Sequence, residues 1–176
     1  MAAARRSEGE SDPKIRSQLA EEASAQAQAC LALEPQAAAC LYGQALALGL
    51  GVRAHPAHAG EWLTKMLADL AAAEAADPGY DEAGPARVRA LVLIRAPAWP
   101  IGPGDPAAGV VAARRAVNLR PQYPPNLLAL GEALAKSGDA PGARDAYARA
   151  HEQALASPPG AERDEWLREA NRGLQH

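Results

Sequence analysis

The sequence predicts an all-α protein, a stack of antiparallel helix pairs with long inserts inside the pairs and a capping helix at the C-terminal end. Three observations carry this. Alanine dominates the 176 residues, Phe is absent and aromatic residues are few; Ala loses no side-chain entropy in a helix. β-Branched residues never alternate over a strand-length run, so nothing in the pattern calls for a sheet. Proline recurs at a fixed interval: Pro35, Pro78 and Pro121 stand 43 residues apart, each closing an Ala/Leu-rich run. Proline cannot continue a helix and disfavours helix in the residue before it, so each marks one helix end per repeat.

The elements follow in order. Residues 1–12 read as a polar, disordered tail, and 13–176 as a single helical domain. Helices are expected at about 13–33, 37–49, 57–76, 83–94, 106–119, 124–136, 140–156 and 161–174. Asp12-Pro13 and Asp105-Pro106 each place an N-cap before a proline at the first helical position. Two inserts interrupt the pairs, one over about Gly49–Pro56 and one over about Arg95–Asp105. The second contains three prolines and two glycines, which preclude helix. The last helix carries Trp166, Ala170 and Leu174 on one face and charges elsewhere, as a cap over the open end of a stack requires.

The unit over 126–155 is the most regular. Helix, Ser137-Gly138-Asp139 turn and helix follow one another, with Gly131 where two helices must cross closely. Ala143, Tyr147 and Ala150 lie at i, i+4 and i+7, one face of a 3.6-residue period. Gly131, Gly138-Asp139, Ala143, Tyr147 and Ala150 together make the segment resemble a tetratricopeptide repeat. It departs from that pattern in having Leu134 where the family often has Tyr, and in running on to Pro158-Pro159 without a closing proline. The resemblance implies a right-handed superhelical stack.

Chemistry-bearing constellations are scarce. The chain has no Gly-rich phosphate loop and no Gly-x-Ser-x-Gly elbow. Of the four histidines only His55 and His58 are close together, with Glu61 the nearest further donor; a zinc site needs three or four ligands. The sequence therefore predicts a non-catalytic protein with no metal and no cofactor. Net charge is −3, which argues against a nucleic-acid partner. Arg87, Arg89, Arg95, Arg114, Arg115 and Arg120 lie among acidic neighbours and read as solvated faces. No stretch is long and apolar enough to span a membrane.

Cys30 and Cys40 are equidistant from the turn near Pro35-Gln36. In an antiparallel pair they can face each other at disulfide distance, which would place the protein in an oxidising compartment. The alternative is two buried free thiols. Trp99 stands in the Pro/Gly insert, outside any helix core. Folded back, that insert would lid a pocket lined by Trp62, Leu63, Met66, Leu91 and Leu93; the alternative is that Trp99 packs the insert on its own repeat. Tyr80 and Tyr123, each two residues after a closing proline, read as structural parts of the repeat.

A narrower likeness rests on Asp77-Pro78-Gly79-Tyr80-Asp81-Glu82-Ala83-Gly84-Pro85, on Gly102-Pro103-Gly104-Asp105-Pro106 and on Arg115-Ala116-Val117-Asn118-Leu119-Arg120-Pro121. With its inserts, the chain is similar to periplasmic lipoproteins of the TatT type, the T-component of certain TRAP transport systems, and to related helical lipoproteins of bacterial lipid and sterol trafficking. The likeness implies a periplasmic accessory protein that holds or passes an apolar ligand, a lipid or sterol, in an inter-helix cavity, with a transporter or periplasmic binding protein as partner. It also implies membrane association through a removed N-terminal region carrying a lipid anchor, since the sequence as given has no anchor cysteine near Met1. A cytoplasmic scaffold that binds a protein or peptide in its groove is the alternative.

Overall fold

The computed structural model describes residues 13–175 and is all-α; the expected N-terminal tail, with the Asp12 cap, lies outside these residues. Eight α-helices follow in order among them: α1 Pro13–Leu33, α2 Ala38–Ala54, α3 Ala59–Ala76, α4 Tyr80–Arg95, α5 Pro106–Leu119, α6 Pro124–Lys136, α7 Ala140–Ala156 and α8 Ala161–Leu174, with a 3₁₀ turn at Pro56–His58. Helices α1, α3 and α5 end two residues before Pro35, Pro78 and Pro121. Their ends are closed by one repeated bond: Glu34, Asp77 and Arg120 donate their backbone N–H to the carbonyls of Cys30, Ala73 and Ala116. The 43-residue period is thus a period in turn chemistry as well as in proline.

The chain divides into two compact units. The first holds the residues up to Tyr80 together with Ala96–Pro103; the second holds Asp81–Arg95 and the chain from Gly104 onward. In the first unit α1 packs on α2, and α2 on α3. Leu19, Ala23 and Ala47 form a buried cluster with Leu50 against it, and Met66, Leu70 and Ala73 are buried on α3.

The insert expected at Gly49–Pro56 is instead mostly helix, because α2 continues to Ala54. The two glycines are spacers, not breakers. A Cβ on Gly49 would stand 3.2 Å from Met66 Cε, and one on Gly51 only 2.6 Å from the Trp62 ring. The cost of Gly in a helix, about 1 kcal/mol, is offset by letting two large α3 side chains lie against the α2 backbone.

In the second unit α5 packs on α6, α6 on α7 and α7 on α8, and α6 also touches α8. Its core gathers Ala90, Ile94, Ala113, Leu127, Leu134, Ala146, Ala150 and Ala170. Ala143 and Ala150 are buried, and Tyr147 is partly buried against the same core. Tyr147 is pinched from two sides, since a Cβ on Gly131 or on Gly173 would stand 2.8 Å or 2.5 Å from its ring. The helix α6 closes through Gly138 in the left-handed region at φ 85°, with Asp139 N–H donating to Leu134 O. Asp105 and Asp139 cap α5 and α7, accepting from Ala108 N at 3.0 Å and Gly142 N at 2.9 Å.

Helix α4 begins earlier than expected and in an unusual way. Asp81, Glu82 and Ala83 all lie in the left-handed region, with φ 49°, 55° and 63°. Pro85 then opens the right-handed stretch, a position suited to its fixed φ. Left-handed backbone costs roughly 1–2 kcal/mol for each L-residue, so something must hold this turn.

Candidate functional site

The six residues singled out from the sequence are divided between the two units. Trp62, Leu63 and Met66 share α3. Met66 is buried, and Trp62 lines a cavity of about 160 Å³ with Ala20, Ala47, Leu48, Gly51, His55 and the polar Ser17, Glu21 and Ser24. Leu91 and Leu93 belong to α4 of the second unit, where Leu91 packs on the main core and Leu93 is buried. Both leucines are used up as core. Trp99 is 87% exposed, so it covers no cavity.

The two histidines near Trp62 are ring partners. His58 stacks on the indole at 5.2 Å between centroids, and His55 meets it edge-on at 6.0 Å. Among the described residues no group of three or more His, Cys, Asp or Glu is placed to hold a metal ion. Cys30 and Cys40 are disulfide-bonded, with Cα atoms 5.3 Å apart. The bond ties α1 and α2 across their turn. A second apolar hollow, about 200 Å³, runs beside this bond and includes Ala27, Gly43, Leu46 and Tyr80.

A roomier cavity, about 480 Å³, lies in the second unit. It is a groove between the start of α6 and the Ser157–Gly160 loop leading into α8, lined by Tyr123, Pro124, Pro158, Pro159, Glu162, Arg163 and Trp166. Tyr123 and Trp166 meet edge-to-face with centroids 5.8 Å apart. The sequence pattern offers Tyr123 only as a residue after a closing proline and Trp166 only as part of an apolar helix face; Trp166 packs against the main core. Their pairing across more than forty residues leaves no local signal.

The groove's frame is polar and highly specified. Arg87 lies over the Tyr123 ring at 5.2 Å and donates to Asn126 Oδ1 at 3.0 Å and to Asp81 Oδ2 at 3.1 Å. Asn126 is fully buried. Its Nδ2 donates to the carbonyls of Glu82, Ala116 and Arg120 at 3.0, 3.2 and 3.3 Å. Arg87 also donates to the carbonyls of Asp81 and Glu82. This network is what holds the left-handed turn, and it fixes Tyr123 in place. Burial pushes the Tyr123 phenol above its usual pKa, against the opposing pull of Arg87, so at neutral pH the hydroxyl stays protonated and able to donate. The basic residues read as solvated faces are in several cases paired: Arg95 with Glu132 and Arg120 with Glu82, besides Arg87.

Arg163 Nε is buried without a hydrogen bond and has Asp164 Oδ1 3.8 Å away as its ion-pair partner. No side chain caps the N-terminus of α8 at Gly160. The arrangement offers apolar ring surface, prolines, a phenol and a partly exposed guanidinium. Compared with known protein families and with curated proteins, the sequence matches none.

Proposed function

We propose that the protein is a non-catalytic binding protein of the tetratricopeptide kind that takes an extended segment of a partner protein into the Tyr123–Trp166 groove. The observation that carries this is the edge-to-face aromatic pair in a groove of about 480 Å³ that Arg163 also lines. Aromatic side chains present large contact area at low entropic cost, and dominate binding where they are already positioned. Extended peptides, with proline-rich ones the clearest case, dock on grooves of this composition. The partly exposed guanidinium of Arg163, which lines the groove, suits a carboxylate or carbonyl of the segment.

A periplasmic location, as in the TatT-type resemblance, is part of the proposal. Its support is the Cys30–Cys40 bond, because such bonds persist in oxidising compartments. A lipid or sterol held between helices is the second reading. What favours it is the apolar lining of the cavity beside Trp62. What weighs against it is size: about 160 Å³ suits a benzene-sized group, whereas sites for drug-sized ligands run to roughly 300–1,000 Å³.

The test is selection of peptides from a random display library on the full chain, followed by titration of the best binders. Trp166→Ala is expected to weaken binding by at least tenfold and Arg163→Met by several-fold, while Trp62→Phe leaves it unchanged. Recovery of no binder, or of binders indifferent to Trp166 and Arg163, overturns the reading. Lipid retained in native mass spectrometry and lost in Trp62→Ala would transfer support to the second.

A further inference from the structure

The insert between α4 and α5 ends in a tip that neither unit's core uses. Trp99 is 87% exposed and Ile101 78% exposed, two residues apart on one turn. Other exposed apolar side chains, such as Leu33 and Val111, stand singly on helices and need no explanation. The pair on the tip does, because water contact is forced on both by a built turn. Ile101 and Gly102 donate their backbone N–H to Ala98 O at 3.1 and 3.2 Å. Gly102 permits the closure, since a Cβ there would stand 2.8 Å from Pro97 O. The same turn lies by α3, where a Cβ on Gly60 would reach Ile101 O at 3.9 Å.

We propose that the Trp99-Pro100-Ile101 tip is a lipid-contact point that inserts shallowly into the boundary between headgroups and acyl chains of a bilayer. Three properties suit that medium. First, no residue from Ala96 through Gly104 is charged, so insertion strips no ion of its water. Second, few backbone donors need water: Pro97, Pro100 and Pro103 have no N–H, and those of Ile101 and Gly102 are bonded within the turn. Third, Trp joins a large apolar ring to one polar N–H and concentrates at this boundary in membrane proteins.

A protein partner fits less well. Pro97 through Ile101 are all exposed, which makes the feature a small convex tip. A stable protein interface needs about 1,000 Å² with a matching surface, whereas a bilayer needs no prepared cleft. Two side chains give weak, reversible attachment, in the range where a second anchoring signal is required for stable residence.

The test is flotation of the full chain with phosphatidylcholine vesicles, with and without phosphatidylglycerol, alongside Trp emission and quenching by brominated acyl chains. Wild type is expected to float with both vesicle types, with a blue-shifted, shallowly quenched emission component. Trp99→Ala should cut partitioning by on the order of tenfold or more, from the apolar area it removes, and Trp99/Ile101→Ala should reduce it to background. Trp99→Phe should keep much of the binding but abolish the emission shift, whereas Trp62→Phe should abolish neither. The exposed position makes thermal stability unchanged in Trp99→Ala, so lost flotation is not lost folding. A wild type that does not float, a double alanine variant that floats equally, or flotation only with phosphatidylglycerol overturns the proposal. So does a Trp99-dependent protein complex formed while vesicles leave Trp99 emission unmoved.

Discussion

Asn126→Leu tests whether the polar network holds the left-handed turn and the groove above it. The side chain is fully buried and makes four hydrogen bonds: three from Nδ2 to carbonyls and one accepted from Arg87. The carbonyls are not orphaned by the change. Ala116 O keeps the N–H of Arg120, Arg120 O keeps that of Tyr123, and Glu82 O keeps Arg87. Their loss is therefore at the low end, about 0.5 kcal/mol each, while the bond to the charged guanidinium contributes about 1.5–3 kcal/mol. Leu has similar volume, so the cavity contribution is small. The expected loss is about 3–4.5 kcal/mol in urea unfolding of the full chain at pH 7, followed by far-UV circular dichroism, with an unchanged denaturant slope. Arg87→Met completes a double-mutant cycle, and neighbours in one network should couple by about 1–2 kcal/mol. A loss below about 1 kcal/mol, or no coupling, would mean the turn stands by itself and the network merely decorates it.

Glu82→Gly is expected to stabilise by about 0.5–1 kcal/mol, because Gly adopts φ 55° without a Cβ penalty; its half-exposed ion pair with Arg120 is worth little, and a destabilised variant would show the backbone there is not strained. Gly131→Ala should cost about 1–3 kcal/mol, since its Cβ would meet the Tyr147 ring at 2.8 Å; adding Tyr147→Leu should recover part of the loss, and failure to do so places the clash elsewhere. Cys30→Ser with Cys40→Ser should cost about 3 kcal/mol from loop-closure entropy for a bond spanning ten residues, and intact mass of non-reduced protein matching two free thiols would remove the basis for it. Burial raises the pKa of Glu169, with Arg95 opposing. Its contribution to stability is therefore present below the ordinary carboxylate range and lost as pH rises through the raised value. Glu169→Gln should flatten that decline in melting temperature as pH rises out of the ordinary carboxylate range, and an unaltered profile would show that the carboxylate titrates as if exposed.

Helix positions were legible because they rest on local rules. Prolines that close helices, the Asp105 N-cap and the Ala143–Tyr147–Ala150 face act within a turn or two, and the structure places them where the pattern predicts. The misreading at Gly49–Ala54 has the opposite cause. Glycine inside a helix is read as a break unless a large partner on another helix is known, and here Trp62 and Met66 are the partners. The candidate site was less legible for the same reason. Leu91 and Leu93 carry the residue types of an apolar pocket, but those types serve equally as core, and only packing separates the uses. Tyr123 and Trp166 are ordinary repeat and cap residues until the chain brings them within 5.8 Å.

The period of 43 residues has a further reading once the contacts are known. Positions 30 and 40 in the first repeat correspond to 73 and 83 in the second and 116 and 126 in the third. The first and third solve the same problem, tying one helix end to the start of the next, with different chemistry. Cys30 and Cys40 do it covalently; Asn126 does it by donating from its side chain to Ala116 O. In the second repeat the positions hold Ala73 and Ala83, both fully buried, with no polar or covalent tie available to either side chain. A covalent tie asks nothing of its surroundings. A buried amide must have every donor and acceptor met, and the third repeat meets them by recruiting Arg87 and the left-handed carbonyls of the second. The polar solution therefore ties together more of the chain than the disulfide does, and through Arg87 it reaches Tyr123. The aromatic groove is a consequence of how the third helix pair is fastened, so changes to the fastening at Asn126 should displace Tyr123, which Arg87 ties to that network, as well as lower stability.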